Sequence, residues 1–343
     1  MRPHRFLNVM PVPKFKLRHR LLLFCFSLLL SLVVAEVGLI VAGFSFRVAP
    51  ESVEFGWPDP KVMKDLYRGD PDLFWVPKSY PDIITNLSEK KVDILFMGDS
   101  CTEFSRWPQL FVEKAKMDNP NQSFFGQVLA VGGWTSYQGK QQLQRDIIPL
   151  QPKAVTIFFG WNDHWMGFGL EDKEIHQVLQ SPLYQFSQFR LIQALLKVQL
   201  GNKIKAQNQN NKTIVRVPIS DFRTNLVEMV TQSQKAGIVP ILLTAPSSHT
   251  EGKEPPYLSE RFLADLSQLV PLHQSYVSVV REVANEYDAP LCDLAEKFDN
   301  IPNREEYFKF DGIHFNEQGD IQIAALLYEC LQNNPKTSVL WDR

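Results

Sequence analysis

Ser100, His314 and Asp311 are the three side chains in this 343-residue sequence whose types and surroundings suit nucleophilic catalysis. Ser100 follows "VDILFMGD" (92–99), an apolar run that stops abruptly at Gly98-Asp99. A serine hydroxyl is a weak nucleophile until a base takes its proton. His314 is the natural base. Asp311 lies three residues earlier in "FDGIHFNEQG", with Gly312 between them, and can set the imidazole tautomer and stabilise its charged form. Acyl transfer of this kind also needs donors aimed at the developing oxyanion, each worth about 3–4 kcal/mol of barrier. The Ser100 N–H, the Gly133 N–H and the Asn162 side-chain amide are donors of that sort. Glycine at 133 lets backbone approach a substrate with no Cβ in the way.

These groups are scattered over more than two hundred residues, so a framework must gather them. Short apolar runs occur at 92–99, 123–131, 154–161, 238–246 and 289–295. Continuous apolarity, rather than alternation, predicts strands buried on both faces and hence a parallel sheet. Helical patterns lie between them, at about 108–117, 138–148, 219–236 and 258–287, with a last one at about 317–332. In "SDFRTNLVEMVTQSQKAG", Phe222, Leu226, Met229 and Val230 share one face and Gly237 supplies the stop. Alternation of strand and helix predicts a three-layer α/β/α domain over 91–335 around a five-stranded, mainly parallel sheet. In such a sheet, ligands meet the carboxyl ends of the strands. Gly98-Asp99-Ser100, Gly132-Gly133 and Gly160-Trp161-Asn162-Asp163 all fall there. Residues 165–218 exceed what one crossover requires and read as an excursion over a sheet edge, either a lid or a surface elaboration.

Before this domain, charge and hydropathy are polarised. Six of the 36 basic residues lie in the first twenty positions, so the remainder carries 30 cations against 38 acids. A nucleic-acid partner is disfavoured, because phosphate binding needs a basic face. The basic tip (1–20) precedes an apolar stretch at 21–44 whose one charge is Glu36. That length crosses a hydrocarbon core of about 30 Å. The flanking charge predicts a single-pass membrane anchor with a cytoplasmic N-terminus and an extracytoplasmic domain. A cleaved signal ending near Val33-Val34-Ala35 is the alternative, and it too exports the domain. Residues 45–90, rich in proline and aromatics, read as an extended juxtamembrane connector, partly ordered because Trp57, Phe74 and Trp75 need burial. The four cysteines suggest no disulfide framework: Cys25 lies in the apolar stretch, and Cys292 and Cys330 sit in core-like runs. No metal-ligand spacing is present.

The same segments resemble the SGNH (GDSL) hydrolase family, in order along the chain. "FMGDSCTEF" resembles its first block and makes Ser100 the nucleophile; "LAVGGWTSYQG" resembles the second, placing the oxyanion glycine on Gly133. "FFGWNDHW" carries the GxND of the third, giving Asn162, and "DGIHFNEQG" carries the DxxH that gives Asp311 and His314. Two positions depart from the pattern. Cys101 stands where Leu often follows GDS, and Val128 stands where the second block usually opens with Asn, so Gly132 remains a rival for Gly133. The resemblance covers about 91–334 and implies a flavodoxin-like α/β/α sandwich.

The expected activity is that of a serine esterase acting on an acylated, above all O-acetylated, surface glycan, glycoside or lipid, with no metal or organic cofactor. An O-acyltransferase using the same acyl-enzyme, and a non-catalytic membrane-tethered binding protein, are the alternatives. Asp99 and Asp163 read as turn-forming or supporting carboxylates. His164 reads as structural, with substrate contact near Asn162 as the alternative, and His176, His249 and His273 read as surface or core. Trp134, Trp161 and Trp165 cluster near the expected pocket, where either packing or substrate contact accounts for them.

Overall fold

The sheet forms where the sequence places its apolar runs. A computed structural model describes residues 16–46, 66–120, 123–166, 170–208, 214–259 and 262–341. Strands β1 (Tyr67–Asp70) and β2 (Phe74–Pro77) make an antiparallel hairpin. Strands β3 (Ile94–Gly98), β4 (Gly126–Val128), β5 (Ala154–Phe158), β6 (Val239–Leu243) and β7 (Leu291–Cys292) make a parallel sheet in the order β4-β3-β5-β6-β7. Ile94 pairs with Gly126 on one side and Ala154 on the other, so β3, which leads to Ser100, is an interior strand.

Helices cover both faces, which explains the continuous apolarity of the strands. Trp107–Asp118 and Glu317–Gln332 pack together in one layer. Ser136–Gln142, Ile219–Lys235 and Leu269–Glu286 lie in the other. Ile94, Leu95, Phe96 and Met97 are all at most 1% exposed, although successive residues point to opposite faces. Phe96 meets Trp107 and Phe111 edge-on, at centroid separations of 5.3 and 5.7 Å.

Two expectations need correction. The long helix at 258–287 begins only at Leu269, after short 3-10 turns at Pro256–Ser259 and Leu266–Gln268. Pro271 has no N–H and is tolerated only in a first turn, and Asp265 caps the preceding turn by accepting the Ser267 N–H. Cys292 and Cys330, read as separate core residues, form a disulfide with a Cα–Cα distance of 5.9 Å. Position 292 ends β7 and 330 lies on the last helix, a pairing that only the packing of that helix on that strand reveals.

The chain divides into two units. Residues 47–181 and 200–343 hold the sheet; within them the described residues from 66 onward form the hairpin and the helix Tyr80–Ser88, with Phe74 and Trp75 buried. Trp57 lies outside the described residues. Residues up to 46 join 182–199 in the other unit. There the helix Leu17–Val41 is long and apolar enough to cross a membrane.

Candidate active site

Ser100 sits where β3 turns into a one-turn helix, Ser100–Glu103. Gly98 makes that turn possible: a Cβ there would lie 2.5 Å from Thr102 Oγ1 and 2.9 Å from the Phe158 carbonyl oxygen. Asp99 caps the helix, its Oδ1 accepting the Cys101 N–H at 2.9 Å. Burial raises the Asp99 pKa to about 6, against the pull of that N–H and of the nearby His314.

His314 and Asp311 arrive on the loop before the last helix. Asp311 Oδ1 accepts the N–H groups of Ile313 and His314, both at 2.9 Å, which shapes the turn. Its Oδ2 stands 2.7 Å from His314 Nδ1, and His314 Nε2 stands 2.9 Å from Ser100 Oγ. A proton on Nδ1 donated to the carboxylate leaves Nε2 as the acceptor facing the hydroxyl. Burial pushes the Asp311 pKa up, but the hydrogen bond and charge of His314 outweigh it and hold the carboxyl below its ordinary value.

The loop after β4 faces this chain. Gly132 donates its N–H to Glu103 Oε2 at 2.5 Å. Gly133 has φ +78°, a conformation open to glycine without strain. Among the described residues neither the Gly133 N–H nor the Ser100 N–H meets an acceptor. The Asn162 amide donates to Asp99 Oδ2 at 3.1 Å and to the Trp134 carbonyl at 3.0 Å, which ties the strand end after β5 to both loops.

Several residues that hold this loop are silent in the sequence. Trp75, on β2, donates its indole N–H to the Gly132 carbonyl at 3.1 Å and accepts the Trp134 indole N–H on its own carbonyl at 3.0 Å. Tyr67, on β1, donates to Glu103 at 3.0 Å. Arg216 donates to the Gly133 carbonyl at 2.6 Å and pairs with the buried Asp172 at 2.9 Å. His249 Nε2 donates to the Asp311 backbone carbonyl at 2.9 Å, bracing the histidine loop from behind. The apolar side chains of Phe74 and Trp75 in a polar region signalled burial, but nothing in the sequence signalled what they would hold.

Other candidates lie away from Ser100 or are closed to solvent. His164 and His273 are buried and 3.1 Å apart, and His273 donates to the Ala245 carbonyl at 2.8 Å. Trp161 stacks on His273 at 3.7 Å and Trp165 stacks on Trp161, so these rings pack the core. Trp134 is fully buried. His176 contacts the Tyr137 hydroxyl at 2.7 Å. Asp163 accepts the Ser136 N–H and hydroxyl, and burial raises its pKa to about 7. Cys101 is buried, which pushes its thiol pKa well up and suits no nucleophile. Among the described residues no cluster of side chains could hold a metal ion.

Residues 96–320 match the profile of the GDSL-like lipase/acylhydrolase family. The chain is 24% identical to the uncharacterized lipoprotein YqeF of Bacillus subtilis (strain 168) over 219 residues, covering 60% of this chain and 72% of that one. It is similar to a GDSL-like lipase from Bacteroides thetaiotaomicron, with 16% identity, a TM-score of 0.47 and coverage of 74% and 97%. A lipase/acylhydrolase from Enterococcus faecalis is similar at 16% identity, with a TM-score of 0.45 and coverage of 70% and 94%. The family profile spans more than half of the chain and takes in Ser100, Gly133, Asn162, Asp311 and His314 together, so the protein belongs to the GDSL-like lipase/acylhydrolase family of hydrolases.

Proposed function

We propose that the protein is a serine esterase that removes acyl groups, acetyl above all, from surface glycans, glycosides or lipids by way of an acyl-enzyme. The observation that carries this reading is the unbroken chain from Asp311 Oδ2 through His314 to Ser100 Oγ, with contacts of 2.7 and 2.9 Å. His314 Nε2 takes the Ser100 proton as Oγ bonds to the ester carbonyl carbon. The carbonyl π electrons move to oxygen, where the Ser100 and Gly133 N–H groups serve as donors because no acceptor among the described residues occupies them. The Gly132 N–H, held by Glu103, is the weaker candidate. Asn162 joins by sharing its amide hydrogens. The carbon–oxygen bond to the alcohol then breaks and His314 returns the proton to it. Water, deprotonated in turn by His314, attacks the acyl-serine and releases the acid. Asp311 stays ionised throughout and stabilises the imidazolium.

Exposed rings support an apolar acyl chain or a sugar face as the bound group. Phe104 lies against Gly132, Phe310 precedes Asp311, and Tyr257 is close enough to Asp311 that its phenol pKa, raised mainly by burial, is pushed further by the carboxylate to about 12. The apolar helix with its basic leader supports a single-pass anchor and an extracytoplasmic domain, and the disulfide supports an oxidising compartment.

A fluorophosphonate probe tests the reading. It is expected to label the intact chain and not Ser100→Ala, and a panel of aryl esters is then expected to favour acetyl. Equal labelling of the two proteins overturns it. Ester product that forms faster when a sugar acceptor is added would move the reading from hydrolysis to transfer.

A further inference from the structure

The apolar helix Leu17–Val41 is not alone in its unit. Its single acid, Glu36, lies five residues before the C-terminal end of the helix. The Glu36 carboxylate accepts the N–H groups of Arg190 and Leu191, both at 2.8 Å. Those are the first two residues of a second helix, Arg190–Asn208, whose opening N–H groups would otherwise lack partners. Two further contacts join the segments: the Phe46 N–H donates to Gln193 Oε1 at 3.0 Å, and Lys197 Nζ makes a cation–π contact 5.6 Å from the Phe44 ring centroid.

This second segment presents an apolar face that no described residue of the unit covers. Phe186, Phe189, Leu195 and Val198 are 54, 47, 50 and 61% exposed. Leu191, Leu195 and Val198 follow the i, i+4, i+7 spacing of one helical stripe. The charge is equally one-sided. Along the helix Arg190–Asn208 the chain has four basic residues, Arg190, Lys197, Lys203 and Lys205, and no acid. A basic amphipathic helix with large apolar side chains suits an anionic lipid surface. Depth agrees with this. At 1.5 Å per residue, Glu36 lies about 7–8 Å inside the end of the apolar helix. Interfacial helices bury their apolar face by about 5–10 Å.

We propose that Phe186, Phe189, Leu195 and Val198 sit in the headgroup region of the membrane that takes Leu17–Val41, with Arg190 and Lys197 toward anionic lipid. Glu36 joins the two segments. The protein then has a second lipid contact beside its anchor, made by chain that is distant in sequence.

The test uses the full-length chain in lipid nanodiscs containing phosphatidylglycerol. With Cys25→Ser, the remaining cysteines are buried or disulfide-bonded, so one introduced thiol can carry an environment-sensitive fluorophore. Probes are placed by Leu195→Cys, by Leu29→Cys in the apolar helix, and by Lys116→Cys on the sheet unit. The 195 probe is expected to emit to the blue of the 116 probe and to lose most of its emission to lipids carrying a nitroxide near the headgroup. Replacing phosphatidylglycerol with phosphatidylcholine, or Lys197 with Gln, is expected to reduce that quenching and leave the 29 probe unchanged. If the 29 probe is quenched by lipid while the 195 probe behaves like the 116 probe, the proposal is overturned and the anchor stands. Shielding of the 195 probe from aqueous quenchers without quenching by lipid would assign the face to protein and also overturn it. If neither probe meets lipid, the anchor reading fails and takes the proposal with it.

Discussion

Three residues beyond Ser100, the Glu103 carboxylate holds the Gly132 N–H and the Tyr67 hydroxyl, while burial raises its pKa to about 7. An acid with a raised folded-state pKa keeps its proton where the unfolded chain has lost it. Stability therefore falls as pH rises from the ordinary value near 4.5 to about 7, by up to about 1.4 kcal/mol per pH unit, and levels off above. Asp163 acts in the same direction, and His273, whose pKa burial lowers to about 4, acts in the opposite one between about 4 and 6.5. Glu103→Gln removes one of these contributions. The difference in Tm between Glu103→Gln and the unmodified protein is expected to shift in favour of the variant between pH 5 and pH 8, as read by thermal melts across that range. A constant difference would show that Glu103 ionises as it does in the unfolded chain. Ser100, His314 and Asp311, the proposed nucleophile, base and orienting acid, could be singled out in sequence because their residue types and order suit that chemistry, and the structure brings them within hydrogen-bond distance. Glu103 was not, because its partners stand at 67 and 132.

At the scale of elements, the β1–β2 hairpin braces the Gly132-Gly133 loop, the proposed oxyanion site, although it precedes the family-matched region at 96–320. Trp75 is the contact that matters most. The Gly132 carbonyl that accepts its indole N–H belongs to the same peptide as the Gly133 N–H, so the hydrogen bond orients and polarises that donor. Trp75→Phe keeps a ring over Gly133 and deletes the hydrogen bond. One such bond is worth about 0.5–1.5 kcal/mol, so kcat is expected to fall by roughly 2- to 10-fold with KM little changed. Steady-state kinetics on an aryl acetate, alongside a melt to show that the variant is folded, decide it. A change in KM alone would assign Trp75 to substrate contact. Strands β3, β5 and β6 could be read from sequence because burial on both faces leaves a continuous apolar run. The hairpin could not, since its four-residue strands are too short to show a period.

At the scale of the molecule, the Cys292–Cys330 bridge ties β7, the edge strand, to the last helix, which follows the loop carrying Asp311 and His314. With a separation of 38 residues, the chain-entropy estimate for closing such a loop is about 4 kcal/mol. Cys330→Ser, or reduction, is expected to lower unfolding stability by about 2–5 kcal/mol, measured by urea titration with and without reductant. Because Ser100 depends on β3 and not on the bridge, fluorophosphonate labelling well below the unfolding midpoint is expected to survive. Loss of labelling on reduction with no loss of stability would tie the bridge to the site instead.

The sequence by itself determined the class of fold, the order of the strands' apolar runs and the residues able to do the chemistry. Each of those depends on residue type or on local periodicity. Tertiary structure decided which backbone N–H groups are left without acceptors among the described residues, that Glu103, Trp75 and Arg216 hold the Gly132-Gly133 loop and His249 the Asp311 loop, that two distant cysteines bond, and that Glu36 caps a helix more than 150 residues away. These are pairings between groups far apart in the chain. No local pattern encodes them, because which of many compatible partners meet is settled only when the strands and helices pack.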